Sequence, residues 1–379
     1  MTGIVSRILM TLTIVLVINS ERRVSSAGKC PSVSRVLHPC RCSNDRIIIC
    51  GEQIKYSLKH IFQDLSNSLS KNDKHFSDFV FENTVIEELE DNLFGDILFE
   101  NITIINAKSL AKIKSNAFNN TAKSVRHFEQ RGPTKLGNWY LNQLFDALSS
   151  LVNVRHISLE LNSMKSFPSY AFTSENRQSR VESFRLRADS LTQIPNYAFY
   201  ELHNLKYISL KSDQISRIAA HSFDFEMPSN NIITIDLRGN QLTVSSFELE
   251  AFLGTKRPIH LWLQSNNLTH LDEKIFEPLL NSDQRNVIDL EDNPLICNCN
   301  MYWLLRDRDV YQSQLINGFC NSLANIWSLD ETYFQYCYTN SSYAPNLVIR
   351  SMSFQSTDPD FTIALVTIVF GLNFKYFLI

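Results

Sequence analysis

The chain has 379 residues, of which 44% are hydrophobic and 20% are charged, a composition typical of a folded protein. Its net charge is −3, so it has no electrostatic reason to hold nucleic acid. It contains only 10 glycines and neither G-x-G-x-x-G nor G-x-x-x-x-G-K-[ST], which argues against a glycine-rich nucleotide loop.

The first 27 residues have the pattern of a secretory signal peptide. Arg7 precedes an apolar run over residues 8–18, which is too short for a stable membrane anchor. Small residues follow; Ser25 with Ala27 fits an A-x-A-like cleavage site, and Ser20 is a second candidate. Cleavage after Ala27 would remove three arginines and one glutamate and change the net charge from −3 to −5. The sequence therefore predicts an extracellular protein, secreted or attached to the outer cell surface.

All eight cysteines fall into two groups of four, near the two ends of the chain. In an extracellular chain, clustered cysteines in even number indicate disulfides. Both groups contain C-x-C rather than the C-x-x-C spacing of zinc sites. Each group allows three pairings. We favour first with third and second with fourth, which gives Cys30–Cys42, Cys40–Cys50, Cys297–Cys320 and Cys299–Cys337.

The two cysteine groups enclose an internal repeat. Residues 181–199 and 205–223 carry apolar side chains at the same offsets, and Asp189 and Asp213 hold the same polar position in them. The full pattern is L-x-x-L-x-L-x-x-N-x-L-x-x-L, with a phenylalanine five residues further on. Clear repeats begin at residues 154, 181, 205, 232, 258 and 285, and earlier units cover residues 76–94, 110–118 and, with the insertion RGPTKLGNWY, 125–153.

This pattern is typical of leucine-rich repeats. Its L-x-L segment predicts a short strand with alternate side chains in a shared core, and the asparagine amide can bind backbone groups where the chain leaves the strand. No repeat buries its apolar face alone, so both ends need covers, and Trp303 is placed to fill the gap after the last repeat. We expect an α/β repeat solenoid, a leucine-rich-repeat horseshoe with a parallel β-sheet on the concave face and disulfide caps at both ends.

These features predict the order of domains along the chain. The expected order is a signal peptide (1–27), an N-terminal cysteine cap (28–75), leucine-rich repeats (76–296), a C-terminal cysteine cap (297–340), a polar spacer (341–360) and an apolar C-terminal tail (361–379). The tail is short and lacks the basic flank of a membrane-spanning helix. It fits a GPI-attachment signal, with Ser351 and Ser353 suited to the attachment site. A single-pass helix and an uncleaved tail remain as alternatives.

The caps resemble those of a known family. CPSVSRVLHPCRCSNDRIIIC, at residues 30–50, is similar to the N-terminal cysteine cap of extracellular leucine-rich-repeat proteins, and NPLICNCNMYWLL, at residues 293–305, resembles their C-terminal cap. The phenylalanine-rich early repeats, the shift near residue 100 and the P-x-x-A-F endings resemble small arthropod proteins like the non-catalytic subunit of oplophorus-luciferin 2-monooxygenase. The resemblance covers residue 30 to about 337 and implies a protein without chemistry of its own.

No motif for catalysis or for a cofactor is present. The sequence lacks H-E-x-x-H and G-x-S-x-G, and the caps use all eight cysteines, which leaves no nucleophilic thiol. His156 and His260 occupy equivalent outward strand positions, which is typical of surface residues on a sheet. We therefore expect no enzyme activity, no cofactor and no metal site.

Four N-x-[ST] sequons predict glycan attachment in an extracellular chain. They lie at Asn101, Asn119, Asn267 and Asn340. Each has the alternative of being present but unoccupied. Asn101 is the least suited to a glycan, because it falls at the start of an expected strand.

The outward strand positions predict a partner-binding surface, because horseshoe repeats bind through their concave sheet. Arg187, Lys211 and Arg238 should form a basic stripe beside Tyr207 and Trp262. Aromatic and arginine side chains on an exposed face are typical of protein-binding hot spots. The alternatives are a solvated face without a partner and a Trp262 side chain that packs toward the C-terminal cap.

Two functions follow from these observations. The first is a secreted or surface-anchored protein that binds a protein partner through its concave sheet, with possible membrane attachment through the tail and no nucleic-acid partner. The alternative is a non-catalytic accessory subunit of an extracellular, luciferase-like enzyme complex. A co-purifying partner would separate the two.

Overall fold

The computed structural model describes residues 30–32, 34–54, 57–166, 168–172, 180–321 and 324–330, together with residues 332, 334 and 337. The expected signal peptide, the spacer at 341–360, the tail at 361–379 and the sequon at Asn340 lie outside these residues. The predictions about them therefore stay predictions. Within the described ranges, no helix combines the length and the apolar character needed to cross a bilayer.

The described residues form sixteen strands and six α-helices. The strands are β1 (Arg41–Ser43), β2 (Ile47–Cys50), β3 (His75–Glu82), β4 (Glu88–Leu89), β5 (Leu98–Ile105), β6 (Lys112–Ile113), β7 (His127–Arg131), β8 (His156–Glu160), β9 (Ser183–Arg187), β10 (Gln193–Ile194), β11 (Tyr207–Lys211), β12 (Arg217–Ile218), β13 (Ile233–Asp236), β14 (Ile259–Trp262), β15 (Val287–Asp289) and β16 (Leu315–Ile316). The helices are α1 (Ser34–Leu37), α2 (Leu58–Ser68), α3 (Leu141–Ser149), α4 (Glu273–Ser282), α5 (Tyr302–Arg306) and α6 (Arg308–Tyr311).

Twelve strands form one sheet in the order β1-β2-β3-β5-β7-β8-β9-β11-β13-β14-β15-β16. Every neighbouring pair in this sheet is parallel except β1 with β2, which is antiparallel. The other four strands form two short parallel pairs, β4 with β6 and β10 with β12. A long parallel sheet with one strand per repeat confirms the expected leucine-rich-repeat solenoid.

Alternation along each strand builds the core. In β11, Ile208 and Leu210 are buried, and the register pairs them with Phe184 and Leu186 of β9, which are also buried. The side chains between them face the other side of the sheet. Stacking of identical positions therefore gives one continuous apolar core along the solenoid.

Phenylalanine side chains fill the core of the first repeats. Phe62 of α2 packs with Phe79, Phe94 and Phe99, and the six distances between their ring centroids lie between 4.8 and 5.8 Å. Large rings occupy more volume than leucine, so few of them fill the wide space between the helix and the sheet. The N-terminal cap and the first repeats thus share one core.

Buried asparagines connect the later repeats. The Oδ1 of Asn266 accepts hydrogen bonds from the backbone N–H groups of Asn240 (3.1 Å) and Leu242 (2.9 Å). Its Nδ2 donates to the carbonyl of Leu237 (3.0 Å). Asn240 and Asn293 are buried in the same way at equivalent positions. Each amide pairs backbone groups that would otherwise be buried without a partner.

Asp189 and Asp213 do not take the buried polar position that the repeat pattern assigned to them. Both side chains are exposed. Ser212 is buried instead; its Oγ donates to the carbonyl of Leu191 (2.9 Å), and its N–H donates to Oδ1 of Asn240 (2.7 Å). A carboxylate has no N–H to donate and would bring an uncompensated charge into the core, so the neutral hydroxyl is preferred there.

The repeat expected to begin at residue 232 starts one residue later. Ile232 is 39% exposed, whereas Ile233 is fully buried and pairs with Ile259. The same alternation continues in β14, where Ile259 and Leu261 are buried. Because the strand period is two residues, Ile233 points inward together with Ile235 and Leu237.

Four disulfides close the two ends of the solenoid. The bridges are Cys30–Cys42, Cys40–Cys50, Cys297–Cys320 and Cys299–Cys337, the pairs favoured from the sequence. In the C-terminal cap, Trp303 is buried; its Nε1 donates to the carbonyl of Leu271 (3.2 Å), and its ring lies 5.3 Å from that of Tyr311. Trp303 therefore covers the last repeat, as expected.

The insertion at residues 131–140 connects β7 to α3. Leu136 and Gly137 are buried, and a Cβ on Gly137, whose φ is +98°, would lie 3.2 Å from the Cβ of Met164. Glycine at this position lets the loop lie close against the next repeat. Trp139 follows and is 85% exposed.

Candidate binding face

The sheet register aligns the predicted surface residues in three columns. The first contains His156, Ser183, Tyr207, Thr234 and His260, and the second contains Ser158, Arg185, Ser209, Asp236 and Trp262. In the third, Glu160, Arg187 and Lys211 are paired across β8, β9 and β11. Arg238 and Gln264 follow two residues after the second-column members of β13 and β14. The alignment expected from the repeats is therefore the observed one.

Three of the five predicted partner-binding residues form one cluster with two further side chains. The guanidinium of Arg238 lies over the Trp262 ring, 4.6 Å from its centroid, and the Tyr207 and Trp262 rings meet edge to face at 6.2 Å. Arg185 lies over the other aromatic ring, 5.1 Å from the centroid of Tyr207. Asp236 completes this aromatic–arginine cluster, which consists of Arg185, Tyr207, Asp236, Arg238 and Trp262.

Asp236 holds the cluster together. Its Oδ2 accepts hydrogen bonds from Tyr207 Oη (2.7 Å) and Arg238 Nη2 (2.8 Å), and its Oδ1 accepts one from Arg238 Nε (2.9 Å). Burial on its own would raise the pKa of Asp236, but the hydrogen bonds from Arg238 and Tyr207 outweigh it, and the pKa is lowered. The carboxylate is therefore ionised at neutral pH. Burial, followed by the hydrogen bond to Asp236, raises the pKa of Tyr207.

Arg187 and Lys211 lie beside the cluster but not in it. Both are exposed, and Arg187 Nε lies 3.5 Å from the Asp189 carboxylate in a pair that is more than half exposed on both sides. Such a pair is weak in water. The predicted basic stripe therefore consists of two exposed cations and one, Arg238, that is already bound to a carboxylate.

Arg185 and Asp236 are the two members of the cluster that the sequence interpretation did not assign to the site. Their columns were available from the repeat spacing, which places Asp236 next to Trp262 and Arg185 two strands before Asp236. The sequence signal that could have identified both residues was an acidic position that lies, on one face, between aromatic and arginine positions.

A second hydrogen-bonded group extends the face toward the C-terminal cap. Asp289 is buried; its Oδ2 accepts from Gln264 Nε2 (2.7 Å), and its Oδ1 accepts from Asn317 Nδ2 (3.0 Å). Three consecutive repeats thus present carboxylates and amides that are fixed by their neighbours. Side chains held in this way lose little conformational entropy when a ligand binds.

The two predicted surface histidines have different surroundings. The His156 ring stacks on that of His127, with 4.6 Å between the ring centroids. His260 is partly buried, and this burial lowers its pKa. A lowered pKa keeps the imidazole neutral at neutral pH. His260 therefore adds no charge to the face at neutral pH.

Three sequons fall within the described residues. Asn119 and Asn267 are exposed, and the amide of Asn119 lies 3.3 Å from the Asn116 Oδ1. Asn101 lies in β5 in the column of His127, and its Nδ2 donates to Asp78 (3.0 Å). A glycan on Asn101 would require this hydrogen bond to change and would cover the N-terminal half of the concave face.

Comparisons with known proteins agree with this architecture. The model of the BspA type leucine rich repeat region matches in six copies over residues 87–225 and 165–287, more than half of the chain. The chain is 23% identical over 344 residues to the Oplophorus-luciferin 2-monooxygenase non-catalytic subunit of Oplophorus gracilirostris. The alignment covers 84% of this chain and 90% of that protein.

Two solved structures are similar in fold. Human 5T4, also named Wnt-activated inhibitory factor 1 or trophoblast glycoprotein, is 13% identical, with a TM-score of 0.45 over 80% of this chain and 98% of that one. TLR13 in its complex with ssRNA13 is 22% identical, with a TM-score of 0.47 over 66% of this chain and 36% of that one. From the match of the repeat model and the twelve-stranded sheet, the chain belongs to the BspA type leucine rich repeat family.

Proposed function

We propose that this protein binds another protein through the concave face of its repeat sheet and has no catalytic activity of its own. The observation that carries the proposal is the aromatic–arginine cluster, in which Tyr207, Trp262 and two guanidinium groups lie on one face in fixed positions. Tryptophan, tyrosine and arginine are the residues most enriched among binding hot spots. Exposed repeat sheets are the usual binding surfaces of solenoids.

The rigidity of the cluster supports this function. Asp236 accepts two side-chain hydrogen bonds and one backbone hydrogen bond from Arg238, and it accepts one from the Tyr207 hydroxyl as well. An arginine side chain that is free on the surface loses much conformational entropy when a partner immobilises it. A surface whose side chains are already ordered has paid part of that cost on folding, and this raises affinity.

The proposal is tested by capturing the partner and measuring its binding to variants. The immobilised chain is incubated with the native extracellular fluid, and the captured protein is purified. Trp262→Ala removes the ring between Arg238 and Tyr207, so we expect dissociation to become about thirtyfold faster, which corresponds to about 2 kcal/mol. Surface plasmon resonance measures the rate.

Trp139→Ala is the matched control for this experiment. Trp139 is exposed and lies on the 131–140 insertion, outside the cluster, so its removal should leave the rate within about twofold of the wild type. Equal binding by Trp262→Ala and the wild type would place the site elsewhere. A large drop in the melting temperature of Trp262→Ala would show that the ring serves the fold instead.

The proposed location is extracellular, either secreted or on the outer cell surface. The four disulfides support it, because such bonds persist in oxidising compartments. We propose that residues after about Ser351 are replaced by a lipid anchor. Phosphatidylinositol-specific phospholipase should then release the protein from cells; retention on the membrane, while a known anchored control is released, would contradict the anchor.

We also propose that the protein carries glycans at its sequons. The exposure of Asn119 and Asn267 makes both amides accessible, whereas the Asn101 amide is bound to Asp78. We expect mass spectrometry of the native protein to find glycans at Asn119 and Asn267 and less at Asn101. Asn340 is proposed as a fourth site.

A second candidate is a non-catalytic accessory subunit of an extracellular enzyme complex. The similarity to the Oplophorus-luciferin 2-monooxygenase non-catalytic subunit favours it, because it extends over most of both chains. In this case the captured partner is itself an enzyme, and the complex, but not this chain alone, oxidises a luciferin-like substrate. A captured partner without such activity would exclude this candidate but would not contradict the protein-binding function.

A further inference from the structure

The 131–140 insertion and the two loops beside it form a basic surface on a chain with a net charge of −3. The first loop, residues 106–111, connects β5 to β6, and the other, residues 161–166, follows β8. These three segments contain no aspartate or glutamate, and each carries at least one cation. The cations are Lys108, Arg131, Lys135 and Lys165, and all four are exposed.

Backbone contacts hold the three segments together. The N–H of Asn106 donates to the carbonyl of Arg131 (3.0 Å), and the N–H of Lys135 donates to the carbonyl of Leu110 (2.9 Å). On the other side of the insertion, the buried Gly137 lies against the third segment. The backbones that carry the four cations therefore have fixed positions relative to one another, so the cations can act on one ligand together.

The charge of these cations is not neutralised within the surface. In the part of the chain that the structure describes, none of the four forms an ion pair. Of the carboxylates at the borders, Glu88 is bound by two lysines (3.1 and 3.0 Å), and Glu160 accepts a backbone N–H of the insertion (2.7 Å). Asp189 is paired with Arg187 (3.5 Å), and Glu87, in the preceding repeat, is exposed. Four cations beside one exposed carboxylate leave the surface positively charged.

Two exposed aromatic side chains lie on the same insertion. Trp139 is 85% exposed and Tyr140 is 45% exposed, and the ammonium group of Lys112 lies 4.9 Å from the centroid of the Tyr140 ring. An exposed indole offers a large, flat, apolar face. Together with the cations, it suits a ligand that combines anionic groups with an apolar C–H surface. The insertion patch is defined as Lys108, Arg131, Lys135, Trp139, Tyr140 and Lys165.

We propose that the insertion patch binds a sulfated polysaccharide, with sulfate groups on the cations and a sugar ring against Trp139. Sulfate esters are ionised at neutral pH and accept charge-assisted hydrogen bonds from lysine and arginine. The C–H face of a pyranose ring is apolar and can lie on an indole, whereas an acidic polypeptide offers charge without such a face.

The place of the patch in the molecule agrees with this ligand. Its cations stand on an open surface, which a linear polyanion can cross without entering a pocket. Sulfated polysaccharides occur outside cells, in agreement with the proposed extracellular location. The patch lies outside the aromatic–arginine cluster, so a protein partner on the concave face does not need Trp139, and this proposal does not rest on the protein-binding function.

The test uses isothermal titration calorimetry with the full chain and two polyanions at the same concentration of negative charge. Heparin is the sulfated polysaccharide, and polyglutamate is the acidic polypeptide. Lys135→Glu reverses one charge of the patch, and Trp139→Ala removes the exposed ring. Lys274→Glu is the matched control, because Lys274 is an exposed lysine on α4, outside the patch, and its replacement gives the same change in net charge.

We expect heparin to bind more tightly than polyglutamate. At low salt, Lys135→Glu should weaken heparin binding by about tenfold, and Lys274→Glu by less than about threefold. Trp139→Ala should weaken heparin binding by about fivefold and change polyglutamate binding by less than about twofold. Equal affinity for the two polyanions, or no effect of Trp139→Ala on heparin, would overturn the assignment of a polysaccharide. Equal losses in Lys135→Glu and Lys274→Glu, or no heparin binding at about 1 mM, would overturn the site itself.

Discussion

Asp236 controls the geometry of the aromatic–arginine cluster, because its buried carboxylate binds Tyr207 and Arg238 at once. The two rings and the guanidinium groups would each have several rotamers on an open sheet. The carboxylate selects one arrangement among them. Under the proposed function, Asp236 would therefore influence the affinity of the whole face through the positions of its neighbours.

Asp236→Asn should lower the free energy of unfolding by about 1.5–3 kcal/mol at neutral pH, because Arg238 and Tyr207 lose a charged acceptor. The lowered pKa of Asp236 means that its ionised form favours the folded state. Its stabilisation is complete above the unfolded pKa of about 3.9 and is lost as the pH falls through the lower folded pKa. The difference between wild type and variant should therefore shrink below about pH 4.

Urea denaturation at pH 7 and near pH 3 measures this difference. Asp213→Asn is the matched control, because the Asp213 carboxylate is exposed, and it should stay within about 0.5 kcal/mol of the wild type. A loss in Asp236→Asn that is the same at both pH values would show that the ionised carboxylate is not the source of the stabilisation.

At the scale of the repeat, the buried asparagines decide how well neighbouring units are joined. Asn266→Ala would leave the N–H groups of Asn240 and Leu242 and the carbonyl of Leu237 without their partner. We expect a loss of about 3 kcal/mol in the free energy of unfolding, measured by urea denaturation. The adjacent Asn267→Ala changes an exposed amide and should cost less than about 0.5 kcal/mol. Similar losses in the two variants would contradict the role of the buried amide.

The disulfides join the caps to the end repeats in the same way. The Cys297–Cys320 and Cys299–Cys337 bridges span 23 and 38 residues, and loss of one should lower the free energy of unfolding by about 2–4 kcal/mol. Paired replacement of Cys297 and Cys320 by serine tests this. Peptide mapping without reduction should find all four bridges within their own groups. A bridge between the two groups would contradict the capping arrangement.

The repeat spacing predicted the strands and the three columns of the concave face, because register in a solenoid follows from the repeat itself. It could not predict that Ser212 is buried in the core rather than Asp213, or that Ile233 is buried rather than Ile232. Ser212 directly follows β11 and Ile233 begins β13, so both depend on how the chain leaves or enters a strand, which the repeat spacing does not specify. The pairing of Asp236 with Arg238 depends on side-chain rotamers, which the repeat pattern leaves unspecified.

Across the whole molecule, positive charge is concentrated locally on β9, β11 and β13 of the concave face, between Glu160 of β8 and Asp289 of β15, in a protein with a net charge of −3. Arg185, Arg187, Lys211 and Arg238 come from three strands or their ends and outnumber Asp236 between them. A local potential of this kind attracts an acidic partner before contact is made. Under the proposed function, the cluster and the exposed cations have separate roles: we propose that the rings retain the partner and that Arg187 and Lys211 steer it.

Lys211→Glu tests the steering role. Lys211 is exposed, so reversing its charge should lower the association rate of the captured partner by roughly fivefold at low salt and leave the dissociation rate nearly unchanged. The effect should fade as salt screens the interaction, with a Debye length of about 8 Å at physiological ionic strength.

The matched control is Lys123→Glu. Lys123 is an exposed lysine before β7, and its replacement gives the same change in net charge away from the stripe. Stopped-flow or surface-plasmon measurements at two salt concentrations compare them. An equal loss in Lys123→Glu would assign the effect to net charge, and a change confined to the dissociation rate would place Lys211 in the contact itself.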